Sequence, residues 1–396
     1  MSLAISAPRH RYVALDSLRG ICACMVILYH IPSGSAFAQL PVIRHGGLFV
    51  DFFFVLSGLV IGSSYGQRLA DGYALKRYMT LRFFRVYPLH LVMLLIYLAF
   101  EVGFALLAPG GAGRRPFEGS YSLPSFISAL FLVQIFFGRD ATPWNGPSWS
   151  NAAEFWTYLI FAGVMKLLPR LTVPLCILVA LAVPPYLAVL TDRNINVGHD
   201  GALARCLYGF AMGLLCWKLP ARLRERSNAP WVDDALELAM VALCVAFVWV
   251  AGVTRLSLAA PLVFFLVVVI FSRQRGIVSR LLGRAPFVML GTLSYSIYMI
   301  HGFLLWRYLN VLSVGARFTG LDLVRSVGGE TRLTSDPLLY GLLVAVFFAG
   351  VLVAAHLSCR LIEEPGRNLG KTLGARRRDD DDGTPVMPAG VNLESA

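Results

Sequence analysis

The sequence predicts an all-α fold, a polytopic membrane bundle of about ten transmembrane helices plus one re-entrant or interfacial helix, and three observations carry that prediction. Of 396 residues, 57% are hydrophobic and only 15% charged. The mean hydropathy is +0.66, more apolar surface than a water-soluble globule of this length can hide. The apolar residues also fall into repeated runs of the ~20 residues that one helix needs to cross a bilayer.

Taken in order, these runs lie near residues 15–33, 46–66, 85–108, 152–168, 171–190, 203–219, 235–253, 256–272, 286–308 and 338–361. The first follows a short polar and basic segment and has no small-residue cleavage site, so it is expected to be a retained span. An eleventh stretch, 122–138, is shorter and carries Pro124 near its start. Charge decides whether it crosses. If it does not, and the N-terminus is cytoplasmic, 23 of the 35 Lys and Arg residues face inward, among them the basic loops at 218–226 and 273–284. If it crosses, both of those loops face outward, against the positive-inside bias. The sequence therefore predicts a cytoplasmic N-terminal segment over 1–14 and a membrane domain over 15–368. A disordered cytoplasmic tail is expected over 369–396, where Arg376 to Arg378 run into Asp379 to Asp382.

The same sorting explains the formal net charge of +12. In a soluble protein that excess would suggest nucleic acid as a partner; here it is an orientation signal, and no nucleic-acid partner is expected. The seven cysteines sit almost entirely in apolar runs without metal-ligand spacing, so no metal is predicted. The sequence also lacks a GxxxxGK[ST] phosphate loop, a GxSxG elbow and an HExxH pair.

An ionisable group within a span costs several kcal/mol unless it is partnered or lines a cavity, so each is a candidate for function. The first span holds Asp16, Arg19 and His30. Eleven residues at ~100° each place Arg19 and His30 on nearly one face, ~16 Å apart along the axis. An imidazole is suited to moving a proton near neutral pH, although a histidine bonded to a backbone carbonyl with a snorkelling arginine below it fits the spacing too. Arg82 and Arg85 share a helix face, and their guanidinium forks suit phosphate; basic residues on this side are also what topology demands. Glu154 and Tyr158 stand one turn apart, where the carboxylate suits orienting an imidazole, holding an acceptor hydroxyl or bonding a neighbouring helix. Tyr298 and His301 are three apart, placed equally well for a site or for polar contacts between helices. Asp51 is a further carboxylate within an apolar run.

Together these residues resemble a known family. Leu15-Asp16-Ser17-Leu18-Arg19-Gly20 with His30, Phe53-Phe54-Val55-Leu56-Ser57-Gly58, Arg82-x-x-Arg85 with Tyr87-Pro88, Trp149-Ser150 with Glu154, Ser294-Tyr295-x-x-Tyr298-x-x-His301 and Glu363-Glu364-Pro365 are similar, in content and order, to the motifs of the membrane acyltransferase-3 family. The resemblance runs from residue 15 to about 368. It implies an O-acyltransferase, an O-acetyltransferase in the usual case, in the bacterial inner membrane. The donor would be cytoplasmic acyl-CoA, usually acetyl-CoA, and the acceptor a hydroxyl of a carbohydrate or glycoconjugate at or beyond that membrane. Residue by residue it implies catalytic roles for His30 and Glu154 and donor binding by Arg19, Arg82 and Arg85. Asp16, Asp51, Ser57, Tyr298 and His301 are expected to support them. The chain departs from the family's usual Trp-Ser-x-Ser-Val-Glu in having Ala152 and Ala153, so no hydroxyl chemistry is expected at 152. A sugar or proton-coupled carrier is the competing class, against which stand the absence of an internal repeat and an arginine pair suited to a large anion.

Overall fold

The computed structural model describes residues 12–107, 115–137, 144–220 and 229–381, with side chains to 375. Every one of the ten apolar runs is helical. They form α1 (Val13–His30), α2 (Phe49–Ile61), α3 (Leu75–Leu107), α5 (Trp149–Leu167), α6 (Thr172–Leu190), α7 (Ala202–Lys218), α8 (Pro230–Ala251), α9 (Ala260–Phe271), α10 (Ala285–Thr319) and α11 (Pro337–Ser358), with a short α4 (Leu123–Leu130) between α3 and α5. Seven helical stretches among the described residues are long and apolar enough to cross a membrane. The remaining three, α5, α7 and α9, are shorter or carry charge, as Glu154 and Lys166 do in α5. Helix ends follow local chemistry. At the start of α11 the Asp336 carboxylate accepts the Leu339 N–H at 2.7 Å, with Pro337 in the first turn. At the end of α10 Gly320 takes a left-handed φ of 70°.

Two glycine contacts set the bundle's centre. A Cβ on Gly20 of α1 would lie 2.4 Å from the Leu290 carbonyl carbon, and one on Gly291 of α10 would lie 2.4 Å from Asp16 O, so α1 and α10 touch backbone to backbone. Gly58 of α2 and Gly213 of α7 are equally close: a Cβ on the first would meet Phe210 O at 2.1 Å, and one on the second would meet Val55 O at 2.0 Å. Each contact brings the polar residues of one helix against the next.

The 122–138 stretch does not form a crossing helix over its described residues. α4 has eight residues, about 12 Å of rise, and turns follow to residue 137. Its irregular backbone is satisfied by the bundle: Tyr87 Oη donates to Leu130 O at 3.0 Å, the Trp156 indole to Leu132 O at 2.9 Å, and His90 Nε2 lies 2.8 Å from Ala129 O.

Residues 364–381 form helix α12 (Glu364–Asp381), which extends into the segment expected as a tail from 369. The cause is a glycine face: a Cβ on Gly366 would lie 2.6 Å from Pro88 Cγ and one on Gly370 2.5 Å from Phe84 Cβ, which seats α12 on the first half of α3. Residues 382–396, the basic side chains 376–378, the cations at 222–226 and the segment 1–11 lie outside the described residues. Between α10 and α11 the chain forms a hairpin of β1 (Val324–Val327) and β2 (Glu330–Leu333) around Gly328 and Gly329, whose φ values are 61° and 82°. The hairpin is tied to the chain just beyond His30, where Leu333 N donates to Pro32 O at 2.8 Å and Ser33 Oγ to Thr334 O at 3.0 Å.

Candidate active site

The α1/α10 contact and the start of α5 frame two cavities, one above the other along α1. The first, of about 150 Å³, is lined by Arg19, Arg82 and Arg85 with Ser57, Glu154, Tyr158 and Tyr295. The second, of about 570 Å³, is lined by His30 and His301 with Tyr97, Trp149, Asn196, Arg205, Glu330 and Thr331.

In the arginine cavity each cation is held differently. Arg19 donates through Nε to Ser294 Oγ at 2.8 Å and through Nη2 to Gly291 O at 3.0 Å, and lies 3.5 Å from Asp16. Arg85 is paired with the buried carboxylate of Glu363, which also accepts from Ser296 Oγ at 3.0 Å and lies 3.4 Å from Arg367. Arg82 has no carboxylate partner among the described residues; its Nη2 donates to Tyr65 Oη at 3.2 Å, its guanidinium lies 4.9 Å from the centre of that ring, and its Nε is buried without a partner. A buried donor left open is costly, which makes Arg82 the cation with most to gain from an anion. Opposite it, Glu154 Oε1 accepts from Ser57 Oγ at 2.6 Å and Tyr158 Oη at 2.5 Å.

In the histidine cavity the two imidazoles lie with ring centroids 5.0 Å apart. His30 Nδ1 is 2.8 Å from Val26 O, and His301 Nδ1 is 2.6 Å from Tyr298 O. A carbonyl only accepts, so each Nδ1 carries the proton and each neutral ring keeps a lone pair on Nε2. The His301 ring is fully buried and its Nε2 has no partner. The His30 ring is exposed to the cavity.

The structure thus brings His30 together with His301 and Tyr298, and Glu154 together with Ser57 and the arginines, but it does not bring Glu154 to His30. The Glu154 carboxylate is therefore not placed to orient the His30 imidazole, one of the tasks its type and position allow. Asp51 is in neither cavity: its carboxylate is held by Arg205 at 3.0 and 2.8 Å, both residues are almost wholly buried, and Arg205 also donates to Gly47 O and Val197 O. Ala152 is fully buried with no hydroxyl to offer. Sequence reasoning did not assign Glu363, Asn151, Tyr295 or Arg205 to the site. Asn151 Nδ2 donates to Tyr295 Oη at 2.9 Å, and the signal that would have found Arg205 was the same as for Asp51, a charge within an apolar run.

Comparison with known proteins shows what the chain is similar to. The family model described as "Acyltransferase domain" matches residues 12–356. The chain is 26% identical over 394 residues to the acyltransferase MdmB of Streptomyces mycarofaciens, covering 93% of this chain and 94% of that one. It is 28% identical over 332 residues, 79% of each chain, to BcsY of Komagataeibacter xylinus, which is named as a membrane-bound transacylase. No solved structure matches.

Proposed function

Because the chain belongs to the acyltransferase-3 family and is a membrane acyltransferase, we propose that it moves an acyl group, acetyl in the first instance, from cytoplasmic acyl-CoA to a hydroxyl of a carbohydrate or glycoconjugate. The acceptor lies at or beyond the bacterial inner membrane. The observation that carries this reading is the pair of cavities, one lined by arginines and the other by imidazoles, adjoining at Tyr298.

In this reading the arginine end faces the cytoplasm, the side favoured by the distribution of Lys and Arg. The phosphates of the donor engage Arg82 and Arg85, and the pantetheine arm rises past Glu154 and Ser57. Glu154 offsets the cations and fixes the Ser57 and Tyr158 hydroxyls that line the arm's path. The acceptor enters the histidine cavity, whose aromatic side chains offer faces for a sugar. His30 Nε2 takes the proton of the acceptor hydroxyl as its oxygen attacks the thioester carbonyl carbon. The C–S bond breaks, and the imidazolium returns the proton to the departing sulfur, giving ester and free thiol. The Val26 carbonyl keeps the ring in the tautomer this step needs.

Acetyl-CoA binding to the purified protein tests the donor half. Arg85→Lys replaces a fork by a point charge and is expected to weaken binding about tenfold, ~1.4 kcal/mol. Unchanged affinity would remove the arginine cavity as the donor site.

A further inference from the structure

Two side chains stand between the two cavities, and the transfer steps above use neither. Tyr298 and Val50 are the residues that line both, among those described. Tyr298 is only 7% exposed and is fixed at both ends. Its hydroxyl is hydrogen-bonded to Ser150 Oγ at 3.0 Å, and that serine also reaches Pro147 O at 3.1 Å. Its backbone carbonyl receives the His301 Nδ1–H, and Phe53 packs edge-on against its ring at 5.7 Å. A rotamer anchored by the start of α5, by α2 and by its own helix is a wall rather than a loose lining.

The wall matters because the two cavities differ in what they admit. The histidine cavity, at about 570 Å³, has room for an acceptor and, without one, for many waters. A base that activates an acceptor hydroxyl also activates water, and acyl transfer survives only where water is kept from the thioester. We propose that Tyr298 is the residue that makes the enzyme choose the acceptor hydroxyl over water, by narrowing the passage between the cavities so that the waters of the histidine cavity are held away from the thioester carbonyl. This proposal rests on the donor and acceptor assignments made above. With the ring removed, a water oxygen adds to the thioester carbonyl carbon and its proton passes to His30 Nε2. The C–S bond then breaks and the proton goes on to sulfur; the products are the free carboxylic acid and the free thiol.

The test uses the purified full chain with labelled acetyl-CoA and no acceptor, following free acetate and free thiol alongside acetyl-CoA binding. Tyr298→Ala is expected to raise hydrolysis at least tenfold over wild type, Tyr298→Leu to raise it less, and Tyr298→Phe, which keeps the ring but loses the bond to Ser150, to raise it least of the three. Adding His30→Ala to Tyr298→Ala should return hydrolysis to the wild-type level. A Tyr298→Ala or Tyr298→Leu protein that binds acetyl-CoA as wild type does but hydrolyses it no faster overturns the proposal, as does a Phe variant that hydrolyses as fast as the Ala variant. Failure of the wild type itself to bind acetyl-CoA is a separate result, which overturns the donor assignment on which the proposal stands.

Discussion

Asp51 and Glu154 are both carboxylates in apolar helices, and the structure gives them opposite standing. Asp51 is locked in a bidentate pair with Arg205, the two being 0% and 1% exposed, whereas Glu154 holds only hydroxyls and lines a cavity. The expense of a buried charge was legible in the sequence for both. What answers that expense was legible only where it is local: Tyr158 follows Glu154 by one helical turn, while Arg205 is 154 positions from Asp51 and no spacing rule connects them. Glu363 was visible as part of a motif, but its bond to Arg85 crosses 278 positions. A buried ion pair that loses one member leaves an uncompensated charge. Asp51→Asn is therefore expected to destabilise the protein by about 3–5 kcal/mol, read as an earlier unfolding midpoint in detergent. Replacing both Asp51 and Arg205 by methionine should cost less than the single change; equal losses would show that the pair contributes packing and not charge balance.

At the scale of elements, the site depends on how closely α1 approaches α10. Gly20 and Gly291 allow backbone contact, and that contact sets Arg19 on Ser294 at one level and His30 beside His301 at another. The apolar run that makes each helix was readable from the sequence. Which glycines meet was not, because a glycine in a membrane helix looks the same whether it faces lipid or another backbone. α12 shows the same limit, since its glycine face on α3 is invisible in a polar, charged segment that reads as a tail. A side chain at 291 must push the helices apart or unfold one of them. Gly291→Val is expected to cost ~3 kcal/mol or more, at the upper end for overpacking, and to reduce acyl transfer by separating the paired residues. Wild-type stability and turnover in this variant would mean that the α1/α10 contact is not what builds the site.

Over the whole molecule, composition and run length were enough for the all-helical membrane architecture, because each span satisfies its backbone within itself and carries its own apolar signature. The division into two cavities was not readable, since it arises where α1, α2, α3, α5, α7 and α10, from distant parts of the chain, converge. Nor was the β1/β2 hairpin, which sets Glu330 and Thr331 along the histidine cavity and is tied to the residues just after His30. The molecule that results has one cavity lined by arginines and another lined by imidazoles, with Tyr298 lining both. The most direct test of that design is acyl transfer itself, measured with membranes containing the protein, labelled acetyl-CoA and a sugar or glycan acceptor. Wild-type membranes should label the acceptor, and membranes carrying His30→Ala should do so at least a hundredfold more slowly, the scale of a lost general base. Labelling that persists undiminished without His30, or substrate crossing the membrane with no label transferred, would contradict it.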